Sequence, residues 1–260
     1  MPKPKRPYVI CHMGPSIDGR IVTTNWGSLP RLTAEYERTA QTFDADAWII
    51  GRVSMEPYAG KTRVPRGKVK QRIPRTDFIA GAEAESYAIA IDPSGKLTWR
   101  SNAIDSEHVI SILSQRVSND YLAFLRSQGV SYLFGGRSSI DLKSVLGKLA
   151  KAFGIRKLLL EGGGKINGSF LTAGLIDELS ILIAPVADGG IGTATLFDRA
   201  ARRGPSRHLQ LISVERLKGD LVWLRYRVRR YGKDVGIPAA ISVVALMPAI
   251  SREKSTPGDR

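Results

Sequence analysis

The segment Lys157-Leu-Leu-Leu-Glu161-Gly162-Gly163-Gly164-Lys165-Ile166 passes from an apolar run through three glycines into a helical pattern. Residues without Cβ at a helix start leave backbone N–H groups open at the positive end of the helix dipole, where a pyrophosphate binds. The spacing matches neither common phosphate loop. A G-x-G-x-x-G fingerprint needs a third glycine where the chain has Asn167, and G-x-x-x-x-G-K-[S/T] is not met. Alone, such a triplet is equally a tight turn. A second segment, Gly51-Arg52-Val53-Ser54-Met55-Glu56, follows another apolar run. An arginine fork beside a hydroxyl at a helix start suits a phosphate monoester. The plainer alternative is a surface arginine next to a capping serine. Two anion sites imply a dinucleotide, and a monoester site selects NADPH over NADH. The expected cofactor-binding residues are therefore Gly51, Arg52, Ser54, Gly162, Gly163, Gly164, Lys165 and Ile166.

Other chemistries are thinly supported. His12, His108 and His208 are not at metal-ligand spacing, and a single cysteine, Cys11, rules out a zinc site built on Cys-x-x-Cys pairs, so no metal is expected. The formal charge is +15. Seven basic residues and no acidic one lie between Lys61 and Arg75, interleaved with Pro65, Gly67 and Pro74, which reads as a loop. A second cluster comprises Arg199, Arg202, Arg203 and Arg207. Neither is joined by a recognition-helix pattern, zinc-finger spacing or RNA-binding aromatics, which argues against nucleic acid. A solvated surface or a phosphate-bearing small substrate remains, with Arg66, Lys68 and Arg72 as candidate contacts.

The elements that must position these residues alternate between apolar, β-rich runs and helical stretches. Strands are expected at residues 8–13, 47–50, 87–91, 132–134, 157–161, 179–184, 209–215 and 221–228, and helices near 33–42, 117–127, 141–153 and 166–173. This is an α/β pattern, a mainly parallel mixed sheet flanked by helices. Gly219-Asp220 closes it with an antiparallel hairpin. Residues 1–231 read as one domain. Residues 232–260, with Pro238, Pro248 and Pro257, read as an appended tail that is disordered or covers an apolar patch or partner. With one cysteine and no apolar run long enough for a leader or a bilayer span, a cytoplasmic location is expected.

Four blocks, in order, resemble the dihydrofolate-reductase-like superfamily and, within it, the reductase domain of the RibD family of riboflavin biosynthesis. They are Ser16-Ile17-Asp18-Gly19-Arg20-Ile21, Gly51-Arg52-x-Ser54-x-Glu56, Ile91-Asp92-Pro93-Ser94-Gly95, and Glu161-Gly-Gly-Gly through Gly174-Leu-Ile-Asp177-Glu178-Leu to Ala184-Pro185 and Gly189-Gly190. The last is the most specific, and the resemblance covers about residues 8–228. Two places differ: Thr42 stands where the family has a substrate-contacting arginine, and the basic segment replaces an Asp-Asp-Pro loop.

The resemblance implies hydride transfer to C1′ of a ribosylaminopyrimidine 5′-phosphate, giving a ribitylamine, by a stand-alone reductase that forms a homodimer. It places Ser94 beside the cofactor and Ser16, Asn25 and Trp26 beside the substrate, and it borders the ribose phosphate with the basic loop. A carboxylate near the reacting carbon holds charge or relays a proton, and Asp18 and Glu161, at strand C-terminal ends, are the catalytic candidates. Competing readings are a dihydrofolate or pterin reductase, with Leu32 at the expected acid position and Glu35 one turn on, and a non-enzymatic polyanion-binding module.

Overall fold

Strands apolar at nearly every position are those covered on both faces. In the computed structural model, which describes residues 5–60, 64, 67, 69–70, 72–198 and 206–229, these are β1 (Tyr8–Met13), β2 (Ala47–Gly51), β3 (Tyr87–Ile91) and β7 (Lys157–Leu160), and the more polar β5 (Glu107–Ser114) is covered as they are. Each is buried along almost its whole length. The other strands are β4 (Ala103–Ile104), β6 (Ser131–Gly136), β8 (Glu178–Ile183), β9 (Leu209–Arg216) and β10 (Val222–Val228). The helices are α1 (Pro30–Gln41), α2 (Arg52–Met55), α3 (Asn119–Ser127), α4 (Leu142–Phe153) and α5 (Gly164–Thr172). The expected tail beyond residue 231 lies outside the described residues.

The sheet runs β4-β5-β3-β2-β7-β1-β8-β10-β9, with β6 also on β5. Pairing is parallel from β6 through β8, and β10 and β9 close it as the expected antiparallel hairpin. Alternation along the strands divides the core. Val9, Cys11, Ile49, Leu158 and Leu160 meet Val145, Leu146 and Leu149 of α4 and Phe170 of α5. On the opposite face, Ile10, Leu159 and Trp223 lie in one cluster with Phe43 and partly buried Tyr36 and Ala40 of α1. Farther along that face, Val109, Leu113 and Tyr132 meet Tyr121, Leu122 and Leu125 of α3.

β5 is the strand that sequence periodicity misses. His108, Ser111 and Ser114 break its apolar run, yet all are buried and bonded: His108 Nε2 to Ser131 Oγ at 2.8 Å, Trp99 Nε1 to Ser111 Oγ at 3.1 Å, and Ser114 Oγ to the Pro93 carbonyl at 2.7 Å. Neighbouring groups satisfy these polar side chains, so their burial carries little penalty. Helix ends follow local chemistry. Pro30 opens α1 three residues before the expected start. Ser118 and Asp141 cap α3 and α4 by accepting from Tyr121 N–H and Ser144 N–H, and Gly154, at φ 70°, ends α4.

α5 is held differently. The segment 195–198 lies against its first turns, with Asp198 N–H donating to the Gly164 carbonyl at 3.0 Å. A Cβ on Gly164 would overlap the Thr195 carbonyl oxygen, and one on Gly168 the Asp198 carbonyl oxygen. Gly168→Ala should therefore cost about 1–3 kcal/mol through forced backbone movement, read as a lower urea midpoint with an unchanged m-value. A midpoint equal to wild type would mean that this close approach is absent.

Candidate active site

The two glycine-bearing turns meet. Gly51 N–H donates to the Gly162 carbonyl at 3.0 Å, and a Cβ on Gly51 would come within 2.9 Å of Ile166 Cγ1, so the starts of α2 and α5 lie side by side. A Cβ on Gly163 would stand 3.7 Å from Ser54 Oγ, which places that hydroxyl beside the α5 turn. Gly163 is the N-cap of α5, no side chain caps it, and no acidic residue occupies its first turn. The Ile166 and Asn167 N–H groups both turn back to the Gly163 carbonyl, leaving the Gly164 and Lys165 N–H groups pointing out of the helix start. These features fit a dinucleotide pyrophosphate. Gly164 needs a correction in its reason: segment 195–198 already demands a glycine there. Arg52 forms an ion pair with Glu56 at the surface. Ser94 and Lys165 are exposed and Ile166 is half-buried.

The block at residues 16–21 does other work than expected. Ser16 is buried, its hydroxyl donates to Asp18 Oδ1 at 2.7 Å, and it accepts from Arg20 N–H at 2.9 Å. Asp18 accepts from Asp188 N–H and Gly189 N–H, each at 3.0 Å. The Asp188 N–H, then the Ser16 hydroxyl and the Gly189 N–H, hold the Asp18 carboxyl far below the usual carboxylate range. Ionised, it clamps the loop after β1 to the loop after β8. Trp26 serves the same clamp: it is buried against Ala184 and Leu221, and its Nε1 donates to Asp188 Oδ2 at 2.7 Å. Ser16, Asp18 and Trp26, expected at the substrate, thus also fasten the two loops to each other. Asn25 is exposed next to it.

Glu161 stands elsewhere, at the end of β7, on a pocket of about 590 Å³ between α1, β2 and the β4–β5 turn. Burial pushes its carboxyl up to about 7, Tyr36 opposes that rise, and Glu37 and Glu107 add to it. At neutral pH such a group gives or takes a proton readily. Trp48, Tyr58, Glu107 and Tyr36 were missed from sequence. Trp48 and Tyr58 form a tilted aromatic pair with centroids 5.7 Å apart, Trp48 Nε1 donates to Glu107, and burial raises the Glu107 pKa.

The described parts of the basic segment bond to α3 and the chain around it. Asp120, in the first turn of α3, accepts from Gly67 N–H and Val69 N–H at 2.7 and 3.0 Å. Arg75 is consumed by the Gln115, Val117 and Ile73 carbonyls and Asn119 Oδ1. Arg72 is exposed and is not among the pocket's lining residues, while Arg66 and Lys68 lie outside the described residues. Among the described residues there is no cluster of three or more potential metal ligands and no helix long and apolar enough to cross a membrane.

Known proteins resemble this chain. The chain is 28% identical over 195 residues to the 2,5-diamino-6-ribosylamino-4(3H)-pyrimidinone 5′-phosphate reductase of Methanothermobacter thermautotrophicus, covering 74% of this chain and 84% of that one. It is 26% identical over 219 residues to riboflavin biosynthesis protein RibD of Aquifex aeolicus, covering 84% of this chain and 57% of that longer protein. Among solved structures, a pyrimidine reductase-like protein of Corynebacterium diphtheriae superposes with a TM-score of 0.63 at 22% identity, covering 86% of this chain and 92% of that one, and so shares the fold. The sequence pattern of the RibD C-terminal domain family matches residues 7–223, and the chain belongs to that family.

Proposed function

We propose that the chain is an NADPH-dependent reductase of riboflavin biosynthesis that converts the ribosyl group of a ribosylaminopyrimidine 5′-phosphate to ribityl. The observation that carries this reading is the juxtaposition of an uncapped, glycine-built helix start with Glu161, a carboxyl poised near neutrality at the end of the same strand. The bound dinucleotide supplies a hydride to the carbon of the opened imine. The Gly164 and Lys165 N–H groups hold the pyrophosphate, with the Ser54 hydroxyl beside them. Arg52, at the start of α2, turns from Glu56 to the 2′-phosphate. Glu161, protonated, delivers a proton to the imine nitrogen as the carbon accepts hydride, so that C=N becomes CH–NH and the carboxylate is left to be reprotonated.

The competing readings lose their residues. Glu35, the acid a pterin reductase would need on α1, faces Arg38 at 2.7 Å. Of the described basic segment, Gly67 and Arg75 bond to the protein's own α3 and the chain just before it rather than to an outside anion. A homodimer suits β9, whose Leu209, Leu211, Ile212 and Val214 are exposed. The compartment proposed remains the cytoplasm.

Two outcomes test the reading. Arg52→Ala should weaken NADPH by about 1.5–3 kcal/mol, the value of a hydrogen bond to a charged group, and leave NADH nearly unchanged. Glu56→Gln, which frees Arg52, should tighten NADPH. Fluorescence titration reads both, and an equal loss for the two cofactors in Arg52→Ala would refute the 2′-phosphate assignment.

For catalysis, Glu161→Gln should lower kcat by about 10²–10⁴-fold with little change in the KM for NADPH. Because the acid form is the active one, wild-type kcat should be level below pH 7 and fall about tenfold per pH unit above it. A wild-type rate that rises through pH 7 to 9 contradicts the assignment of Glu161 as acid.

A further inference from the structure

Alternation along a strand sets which residues share a face of the sheet. Trp48 on β2 is level with Leu159 on β7, and Glu161 N–H donates to the Ile49 carbonyl at 3.1 Å. Glu161 thus follows Leu159 on the face that Trp48 shares, and all three line the pocket of about 590 Å³. On its other side Trp48 is level with Ala88 on β3, and Ala88 with Val109 on β5. Glu107 comes two residues before Val109, on the same face, and two strand spacings from β2 are about 9.6 Å. Trp48 Nε1 nevertheless donates to the Glu107 carboxylate. The indole therefore lies along the sheet across β3, where Ala88 is too small to obstruct it. Tyr58, 56% exposed, sets its ring against the indole at a centroid distance of 5.7 Å and an angle of 57°. No ring fits between the two, since a sandwich needs about 7 Å between its outer members. They form the two walls of a corner.

Such a corner suits a flat ring stacked on the indole with one edge toward Tyr58. We propose that Trp48 is the platform on which the pyrimidine ring of the substrate stacks, that Tyr58 is its second wall, and that Glu107 is a positioning residue that holds the indole in place. Glu161 stands about 6.6 Å farther along the strand than the level of Trp48, so the edge of a ring stacked there comes to its carboxyl. Glu37, Asp44 and Asp105 line the same pocket and accept from amino groups at the other edges. Stacking is nearly the same before and after hydride transfer. It therefore strengthens ground and transition states alike, and its loss raises KM with little change in kcat. Trp48 also packs at the border of two core clusters, a role that would register in stability rather than in the KM of one substrate.

This inference rests on the reductase reading for its substrate, and its first test needs no turnover. The probe is 2,6-diamino-4(3H)-pyrimidinone, an amino-substituted ring without ribosyl or phosphate, titrated by calorimetry. It should bind the wild type, and bind Trp48→Leu about 10- to 100-fold more weakly, the range for stacking a base on an aromatic side chain. The probe should also quench tryptophan emission in the wild type, and most of that quenching should vanish in Trp48→Phe, which keeps a platform but removes the reporter. In turnover, Trp48→Leu should raise the KM for the pyrimidine phosphate about 10- to 100-fold, with kcat and the KM for NADPH within about twofold of wild type. Glu107→Gln, which keeps an acceptor for the indole N–H, should stay near wild type. Glu107→Leu should raise the same KM, and adding it to Trp48→Leu should change nothing further. Tyr58→Ala, at an exposed position, covers the case in which Trp48→Leu does not fold and should raise that KM about 3- to 10-fold. No binding of the probe to the wild type, equal binding to wild type and Trp48→Leu, or a KM for NADPH that rises together with that for the pyrimidine overturns the proposal. A wild type that binds the probe through Trp48 yet does not turn over the pyrimidine phosphate refutes the reductase reading and leaves the platform standing.

Discussion

β7 comes late in the chain yet lies between β1 and β2, pairing Leu158 with both Val9 and Ala47. Without that insertion there would be no site. The connection from β1 through α1 to β2 leaves a gap in the sheet that only a later strand can fill, and in open α/β sheets ligands gather at such points, beyond the strand C-termini. β7 is flanked on both sides, and just past its end Glu161 lines a partly enclosed pocket while the next residues turn into a helix start. Glu161 and the glycines after it are thus neighbours in sequence with opposite tasks. In the proposed reductase one brings a proton, and the others offer backbone N–H groups to an anion.

The glycines in this stretch answer different constraints. Gly164 and Gly168 leave room for segment 195–198, and that segment is carried by the loop that Asp18 and Trp26 fasten through Asp188. Leu196 N–H donates to the Gly19 carbonyl at 3.0 Å and Ile21 N–H to the Ala194 carbonyl at 3.1 Å, so the loops after β1 and β8 are joined along their length. The three segments therefore form one mechanical unit. A change at Asp18 would reach the start of α5 through these backbone contacts.

Much of this was legible in sequence where a residue has few alternatives. Three glycines between an apolar run and a helix restrict the chain to a turn with exposed N–H groups, and strands buried on both faces announce themselves as apolar runs. Asp18 was read for its charge, but the backbone donors that consume that charge come from residues 188 and 189, which no local pattern connects to it. β5 was missed because its buried histidine finds a partner on β6 and its buried serines find theirs in the loop after β3. Tyr36 was missed for the same kind of reason: it sits between Glu35 and Glu37 in a helix that reads as polar, and its importance comes from the contact of α1 with β1 and β7.

The distribution of charge bears on how a phosphorylated substrate would lie. The protein carries a formal charge of +15, a field that draws anions toward it from a distance. The pocket reverses this locally, since Glu37, Asp44, Asp105, Glu107 and Glu161 line it and no lysine or arginine does. A dianionic phosphate placed inside would meet like charges at short range, where salt screens least. The proposed pyrimidine phosphate therefore enters with its amino-substituted ring toward Glu161 and its phosphate outside, in the basic field that attracted it. That orientation presents hydrogen-bond donors to the carboxylates and leaves the imine nitrogen nearest the acid. The overall positive charge and the acidic pocket are two parts of one arrangement, the first acting on encounter and the second on orientation.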